Sequence, residues 1–242
     1  MSARRAAGLA PSRDEVPGAA DTLSERAAAL IERDILSGAW EPEAKLAIPA
    51  LAARYGIGAT PLREGLSRLV SRGLIVALGQ RGFRVASVSR ADLVDITAVR
   101  VLIETEALRR SIRDGGDEWE AGIVSALHRL RRAVERDPGA IREGAAAFDA
   151  LHKGFHRSLI AACGSGRLMA LHDDLYLQAY RYRRVMMRQF TDAAWFAAEH
   201  QDLADTVLAR RTEEAVAKLA AHLHSTLAVV YEQGAPAGGG GP

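Results

Sequence analysis

The sequence has one cysteine, no long apolar run and almost no net charge. Cys163 has no second cysteine within these 242 residues with which to form a disulfide. No stretch approaches the roughly 18 consecutive apolar residues that span a bilayer, and residues 1–20 lack the apolar core of a signal peptide. The formal net charge of +2 alone neither favours nor excludes nucleic acid as a partner. These absences predict a cytoplasmic protein with no membrane partner.

Common signatures of enzymes are also missing. The chain has no HExxH motif, no glycine-rich phosphate loop and no obvious Ser-His-Asp order. It also shows no internal repeat of solenoid length. We therefore predict a protein that is not an enzyme.

The segment 48–84, IPALAARYGIGATPLREGLSRLVSRGLIVALGQRGFR, predicts a winged helix-turn-helix. Apolar residues at i, i+3, i+4 and i+7 give its first helix one buried face, formed by Ile48, Leu51, Ala52 and Tyr55. Gly56 tolerates the positive φ that a tight turn after this helix needs. A helix presented by such a turn typically enters the major groove of duplex DNA.

The second helix of this motif carries the groups predicted to contact DNA. Thr60 is predicted as its N-cap, with proline at the first helical position, and Gly73 ends it. Small or hydrogen-bonding residues occupy the face opposite its leucines. Two short strands, 74–77 and 83–86, then flank the turn 79–82 as a wing. The predicted DNA-contacting residues are Thr60, Arg63, Ser67, Arg68, Arg81 and Gly82.

Local charge agrees with this prediction. Between residues 60 and 90, six arginines stand against Glu64 alone, which gives a local net charge of 6 − 1 = +5. Phosphate contacts need such a local excess of cations. Double-stranded DNA is therefore the predicted partner.

The rest of the chain predicts a second, all-helical domain. A helix from Thr22 to about Ser37 precedes the motif, and after Ser89 about six amphipathic helices follow with short connections. The predicted fold is mainly α: an N-terminal winged helix-turn-helix followed by an all-α antiparallel helical bundle. Its predicted organisation is a disordered arm (1–20), a DNA-binding domain (21–88), an effector-binding and dimerisation domain (91–232) and a flexible tail (233–242).

Four histidines lie on inward faces of the predicted bundle. His152 and His156 share one apolar stripe at i and i+4, and His200 and His222 lie on the stripes of two later helices. Neutral imidazoles that converge in a dry interior suit a divalent transition metal, with Zn²⁺ preferred and Ni²⁺ or Mn²⁺ as alternatives. Each histidine taken alone is more typical of a core position with a satisfied hydrogen bond, and it is the group of four, with its i, i+4 pair, that favours a metal site.

Arg100 is a charged residue on the buried face of the first bundle helix. A buried guanidinium needs an anion, and Glu104, four residues on, is the local candidate. The alternative anion is the carboxylate of a small ligand beside the metal. Tyr180, Arg181 and Arg184 add potential anion-binding groups from another helix, although a solvated face or an interface would also explain them.

Two other classes of function remain open at this point. The bundle could be a metal-dependent hydrolase fused to a DNA-binding module, because a metal with an open coordination position can also catalyse hydrolysis. The protein could instead be an architectural DNA binder without an effector. The inward histidines and Arg100 argue against the architectural alternative.

Several segments resemble one known family. TPLREGLSRLVSRGLI and RGFRVASVS are similar to the GntR winged-helix regulators, and DLVDITAVRVLIETEAL, LHKGFHRSLIAACGS and EHQDL resemble the FCD ligand-binding domain of the FadR subfamily. The resemblance covers about residues 22–232. GGDEWEA, RVASVS, AACGS and RYR further resemble glutarate-responsive repressors within this family. The resemblance implies a homodimer on a pseudo-palindromic operator, released when a short dicarboxylate binds.

Residue by residue, the resemblance implies roles and also shows two departures. Arg63 matches the family's recognition-helix arginine, and His156, His200 and His222 match its three metal histidines. His152 stands where the family usually has aspartate or asparagine, so four neutral ligands would leave the charge of a dication uncompensated and favour an anionic effector. Gly58-Ala59 replaces the usual Ser/Thr-Arg, so one arginine that contacts DNA in relatives is missing.

Overall fold

The computed structural model describes residues 22–139, 146–187 and 192–231. These residues form nine α-helices, three β-strands and one 3₁₀ turn. The predicted arm and tail lie outside the described residues. Within the described ranges, no helix has both the length and the apolar composition that crossing a bilayer requires.

The N-terminal part is a winged helix-turn-helix. Its elements are α1 (Leu23–Leu36), β1 (Lys45–Leu46), α2 (Ile48–Tyr55), α3 (Ala59–Ser71), β2 (Ile75–Ala77), the 3₁₀ turn (Gly79–Arg81) and β3 (Phe83–Val85). Thr22 caps α1 through a reciprocal pair of hydrogen bonds with Glu25. Gly56 has φ 65° and closes α2, as its position in the sequence predicts. We call this part (residues 22–86) the reader.

The recognition helix α3 begins earlier than the sequence pattern predicts. Its N-cap is Gly58, which offers no side-chain hydrogen bond, and Ala59 is the first helical residue. The prediction that Thr60 is the N-cap is therefore wrong. Pro61 still lies in the first turn, where the helix has no use for its missing N–H, so the start can shift without losing a backbone hydrogen bond.

The wing contains three strands rather than the predicted two. All pairs are antiparallel in the order β1-β3-β2, with Lys45 opposite Arg84 and Val76 opposite the same Arg84 from the other side. The two residues of β1 are too few to produce a recognisable alternation in sequence. At the wing tip Gly82 has φ 95°, a conformation that L side chains rarely adopt.

The reader has an aliphatic core and an unusually close helix contact. A β-carbon on Gly65 of α3 would lie 2.9 Å from Ala28 N and 2.9 Å from Ser24 O of α1, so this glycine lets the two backbones approach. The residues buried in this core are Ala27, Ile31, Ile35, Leu46, Leu51, Ile57, Leu62, Leu66, Leu69, Leu74, Ile75, Val85 and, from the bundle, Leu177.

The C-terminal part is a bundle of helices. Its described elements are α4 (Arg90–Asp114), α5 (Asp117–Arg136), α6 (Ala146–Leu159), α7 (Gly166–Met187), α8 (Ala193–Leu208) and α9 (Thr212–Tyr231). Ser89 caps α4 by accepting a hydrogen bond from the Asp92 amide. Apolar faces of α4, α5, α6, α8 and α9 form its largest core cluster. The predicted fold class, a winged helix-turn-helix followed by a helical bundle, is confirmed.

One bundle helix, α7, reaches the reader directly. Leu177 enters the reader core, and the Gln178 side chain donates a hydrogen bond to the carbonyl of Arg72, the residue that ends α3. The guanidinium of Arg72 also pairs with Asp174 of α7. The end of the recognition helix is therefore held by the same helix that lines the bundle interior.

Candidate functional site

The surface of the reader presents the predicted DNA-contacting residues to solvent. Thr60, Arg63 and Ser67 are exposed along α3, and Arg81 is exposed at the wing tip. Arg68 is exposed as well, but its guanidinium lies 3.3 Å from a carboxylate oxygen of Glu25 on α1. The arrangement presents a helix with cations and hydroxyls on its outer face beside a cationic wing, which suits contact with phosphates and base edges.

Inside the bundle, the structure brings four histidines together. His152 and His156 come from α6, His200 from α8 and His222 from α9, and one nitrogen from each lies within 4.8 Å of the others. The Nε2 of His152 is 2.9 Å from that of His200 and 3.0 Å from that of His156, which in turn is 3.3 Å from that of His222. We call these four residues the histidine cluster.

Neighbouring groups orient the rings of the cluster, and for His200 and His222 they favour an unprotonated Nε2 that faces inward. The carbonyl of Phe196 can only accept, so the Nδ1 of His200, 2.7 Å away, must donate, and a neutral His200 then presents a bare Nε2. A carboxylate oxygen of Glu199 lies 3.1 Å from Nδ1 of His222 and favours a proton there. The Tyr176 hydroxyl is 2.6 Å from Nδ1 of His152. These contacts fix ring orientation as metal-binding histidines require.

Burial keeps His156 in a form that can bind a cation. It lowers the pKa of His156 well below the usual value, and the neighbouring His222 and His200 lower it further. Because an unprotonated imidazole is the form that binds metal, this lowered pKa favours metal binding by His156. Three of the nitrogen separations, at 2.9, 3.0 and 3.3 Å, are also close to the roughly 3.3 Å that ligands sharing a tetrahedral zinc ion, with bonds of about 2.0–2.1 Å, would have. The donor set therefore fits a divalent transition metal.

Arg100 lies beside this cluster within a buried network of charged groups. Its Nε donates to Glu104 at 2.7 Å, and Nδ1 of His172 lies 3.3 Å from the same carboxylate oxygen. Burial raises the pKa of Glu104, but the charge of Arg100 and the contact with His172 outweigh burial and hold that pKa at about 2. The Arg100 guanidinium also stacks 5.4 Å from the centre of the Tyr176 ring.

This network contains Glu104, the local partner predicted for Arg100, and it leaves other N–H donors of the Arg100 guanidinium available to a ligand. The ion pair with Glu104 is the one that the spacing predicts. The terminal nitrogens of Arg100 make no hydrogen bond with any residue in the described ranges, and the guanidinium is close enough to His156 to lower that residue's pKa. Arg100 therefore has donors to offer a ligand next to the cluster.

The other predicted anion-binding residues lie elsewhere. Arg181 donates to the carbonyls of Ala86 and Ser87, in the linker between reader and bundle, so the structure assigns it to the junction rather than to the cluster. Tyr180 is buried and lines a cleft between α1 and α7. The side chain of Arg184 is outside the described part of the chain. Among the members of this predicted group whose side chains are described, Arg100 is the one placed beside the cluster.

Three residues near the cluster escape sequence reasoning. Tyr176, Glu199 and His172 all contact the cluster or the Arg100–Glu104 pair, yet sequence reasoning gave none of them a role, although Glu199 lies in the EHQDL segment. A signal existed for two of them, because His172 and Tyr176 lie at i and i+4 on one face of α7. Nothing in the spacing indicates that this face meets α4 and α6.

The fold and the cluster together define a class: a DNA-reading domain joined to a helical domain with a buried candidate metal centre. Residues 23–85 match the family of bacterial regulatory proteins, gntR family, and residues 95–225 match the FCD domain. The chain belongs to the GntR family of transcriptional regulators, in the group that carries an FCD domain.

Curated relatives agree with this assignment. The chain is 34% identical over 206 residues to the HTH-type transcriptional repressor GlaR of Escherichia coli K12, covering 84% of this chain and 93% of that protein. It is 37% identical over 207 residues to BphR of Paraburkholderia xenovorans LB400, an uncharacterized HTH-type transcriptional regulator, covering 84% and 83%. Both relatives carry the names of regulators rather than enzymes.

Solved structures agree with the fold. E. coli McbR/YncC superposes with a TM-score of 0.72 at 21% identity, covering 88% of this chain and 98% of that chain. A GntR regulator from Rhodococcus sp. RHA1 gives a TM-score of 0.68 at 21% identity, with the same coverage. At these identities the likeness supports the architecture alone.

Proposed function

We propose that this protein is a homodimeric repressor that leaves its operator when a small carboxylate binds beside a metal ion in the histidine cluster. The observation that carries the proposal is the convergence of four Nε2 atoms from three helices in the bundle interior. A divalent transition metal would accept a lone pair from each of these buried imidazoles at once, which suits their convergence. We infer that His152, His156, His200 and His222 hold the ion.

The cluster's charge favours an anionic effector. Four neutral imidazole ligands would not neutralise the two positive charges of the ion, whereas the charge of nearby Arg100 is already balanced by Glu104. The bound ion would supply a Lewis-acidic centre for a carboxylate, and Arg100 would orient that carboxylate with its terminal nitrogens. A short dicarboxylate such as glutarate is the effector we propose, in line with the resemblance of the sequence to glutarate-responsive repressors.

Helix α7 offers a physical path from effector to DNA. Tyr176 contacts His152, whereas Asp174 and Gln178, within one turn of it, hold Arg72 at the end of the recognition helix. Further along α7, Tyr182 accepts a hydrogen bond from the Ser89 amide at the start of α4. A small rotation or shift of α7 would therefore move α3 and the linker together. A change of about 1.4 kcal/mol in DNA binding suffices for a tenfold change in affinity.

The decisive experiment measures operator affinity with and without effector. A duplex obtained by in vitro selection with the zinc-loaded protein is titrated at one fixed ionic strength, because salt alone changes such affinities. Glutarate, 2-hydroxyglutarate and acetate are compared, and we expect glutarate to weaken binding at least as much as 2-hydroxyglutarate and more than acetate. An affinity that no carboxylate alters would reject the effector assignment.

The DNA-reading assignment has its own test. Arg63→Ala should weaken operator binding by about 1–3 kcal/mol, the usual range for an arginine that reads a base. Arg129→Ala, an exposed arginine on α5 of the bundle, serves as the matched control and should leave affinity unchanged. Equal affinities for the two variants would remove Arg63 from the interface.

A further inference from the structure

A cleft lies between the reader and the bundle, next to the histidine cluster. Its volume is about 340 Å³, and none of the four clustered histidines lines it. Helix α1 forms one wall, and α6 and α7 form the other. The lining residues are Ala29, Glu32, Arg33, Leu36, Ser37, Asp149, Ala150, Lys153, Tyr176, Leu177 and Tyr180. A concave, largely apolar pocket at a domain interface is a typical place for a small-molecule site.

The charges around this cleft indicate what it can hold. Glu32 pairs with Arg72, and Arg33 pairs with Asp34. Lys153 pairs with Asp173 at 2.9 Å. Glu32, Arg33 and Lys153 thus have partners within the protein, and the acidic side chain of Asp149 opposes an anion. An ionic ligand would gain little here.

The remaining lining is apolar and aromatic. Tyr176 and Tyr180 of α7 lie one turn apart, and Leu36 of α1 and Leu177 of α7 come from the two opposite walls. Flat aromatic rings pack well against tyrosine in offset or edge-to-face geometry. This lining and the paired charges suit a neutral, ring-shaped molecule.

We propose that this cleft is a second ligand site, which binds a small uncharged aromatic molecule of the size of phenol or indole. Tyr176 borders both the cleft and the histidine cluster, but the rest of the cleft lining is mostly apolar or charge-paired and contains none of the four clustered histidines, so the two sites take different chemical classes. A ligand here touches α1, which packs against the recognition helix through Gly65, and α7, which holds the end of that helix. Its occupancy would add a second input to DNA binding.

Indole binding to the full-length protein tests the proposal without DNA. Affinity is measured by ligand-observed NMR titration for the wild type and for Ala150→Phe, in which an exposed alanine of the cleft wall becomes a ring that fills the space. We expect Ala150→Phe to weaken indole binding by about tenfold or more, equivalent to at least about 1.4 kcal/mol. Ala147→Phe, on the same helix but outside the cleft, should bind like the wild type.

A second variant and the other site separate the possible outcomes. Ala29→Phe fills the cleft from the reader side and should have the same effect as Ala150→Phe, which guards against a folding defect in either variant. His156→Ala should abolish zinc binding and leave indole binding intact. No saturable indole binding, or binding that both filled variants retain, would overturn the proposal. Indole binding that persists in a protein with no effector response would instead contradict only the function proposed above.

Discussion

The reader and the bundle bury different kinds of side chain. Burial in the reader is almost entirely aliphatic, and its charged exception, Asp34, is satisfied by Arg33, Arg54 and Tyr55. The described part of the bundle encloses a whole set of titratable groups, namely Arg100, Glu104, His152, His156, His172 and His200. The candidate functional groups of the reader are therefore exposed and lie over an aliphatic core. Those of the bundle are buried, where a polar or charged group without a partner carries a high energetic cost.

The largest difference in the loss of unfolding free energy is expected between mutations of two ion pairs on α4. Glu104→Gln leaves Arg100 buried without its carboxylate and should destabilise the protein by about 3–5 kcal/mol. The exposed pair of Glu106 with Arg110 has the same i, i+4 spacing, and Glu106→Gln should cost only about 0.3–0.5 kcal/mol. Chemical denaturation followed by circular dichroism measures both. Similar losses would mean that Arg100 and Glu104 are not isolated from water.

Metal should stabilise the bundle through the cluster. At a free zinc concentration about 100 times the dissociation constant, the expected gain is about 2.7 kcal/mol. Chelation should reverse this gain, and His156→Ala should abolish it, whereas His128→Ala, an exposed histidine on α5, should not. Thermal denaturation with and without zinc, with metal content measured in parallel, provides the test. A metal response that survives His156→Ala would locate the ion elsewhere.

Two helical glycines should respond in opposite directions. Gly65→Ala places a β-carbon 2.9 Å from backbone atoms of α1 and should cost about 1–3 kcal/mol through overpacking. Gly122→Ala on α5 meets nothing within 4 Å and should stabilise the protein by about 0.5–1 kcal/mol, because alanine is the better helix former. Unfolding free energies of the two variants are compared with the wild type. A neutral Gly65→Ala would show that α1 and α3 are loosely packed.

The smallest effect on stability is expected at the contact between α7 and the end of α3. Asp174→Asn weakens a half-exposed ion pair with Arg72 and should cost about 0.2–1 kcal/mol. Its larger consequence should be a smaller ratio between operator affinities without and with glutarate, since this pair links α7 to the recognition helix. Asp202→Asn, on α8 and paired with Lys218, is the control. An unchanged ratio in Asp174→Asn would remove this contact from the path.

Sequence reasoning reached the fold class and the outward-facing residues, and it failed at short or shifted elements. Helix α2 and its Gly56 turn were predictable because the apolar spacing and the positive φ are local requirements. The strand β1 was not, because it acquires its conformation only by pairing with β3. The start of α3 was misplaced because the Thr60–Pro61 pattern is strong, whereas the helix begins at a glycine cap with no side-chain signature.

The candidate site likewise has features that the sequence predicted and features that it did not. Spacing identified the stripe of His152 and His156 and the Arg100–Glu104 pair, which depend only on the 3.6-residue period of a helix. Tyr176, Glu199 and His172 were missed, and Arg181 was assigned to a ligand although it binds the linker. Those roles depend on which helices are neighbours.

The sequence by itself determined which residues form helices and which side of each helix is apolar, because the backbone period makes both properties local. Only the tertiary structure decided that histidines 48 and 66 positions apart in the chain meet at one point, and that α7 carries both Tyr176 and the groups that hold Arg72. Periodicity specifies a face but not the face it packs against. That choice is made by the packing of whole helices, to which every apolar side chain contributes.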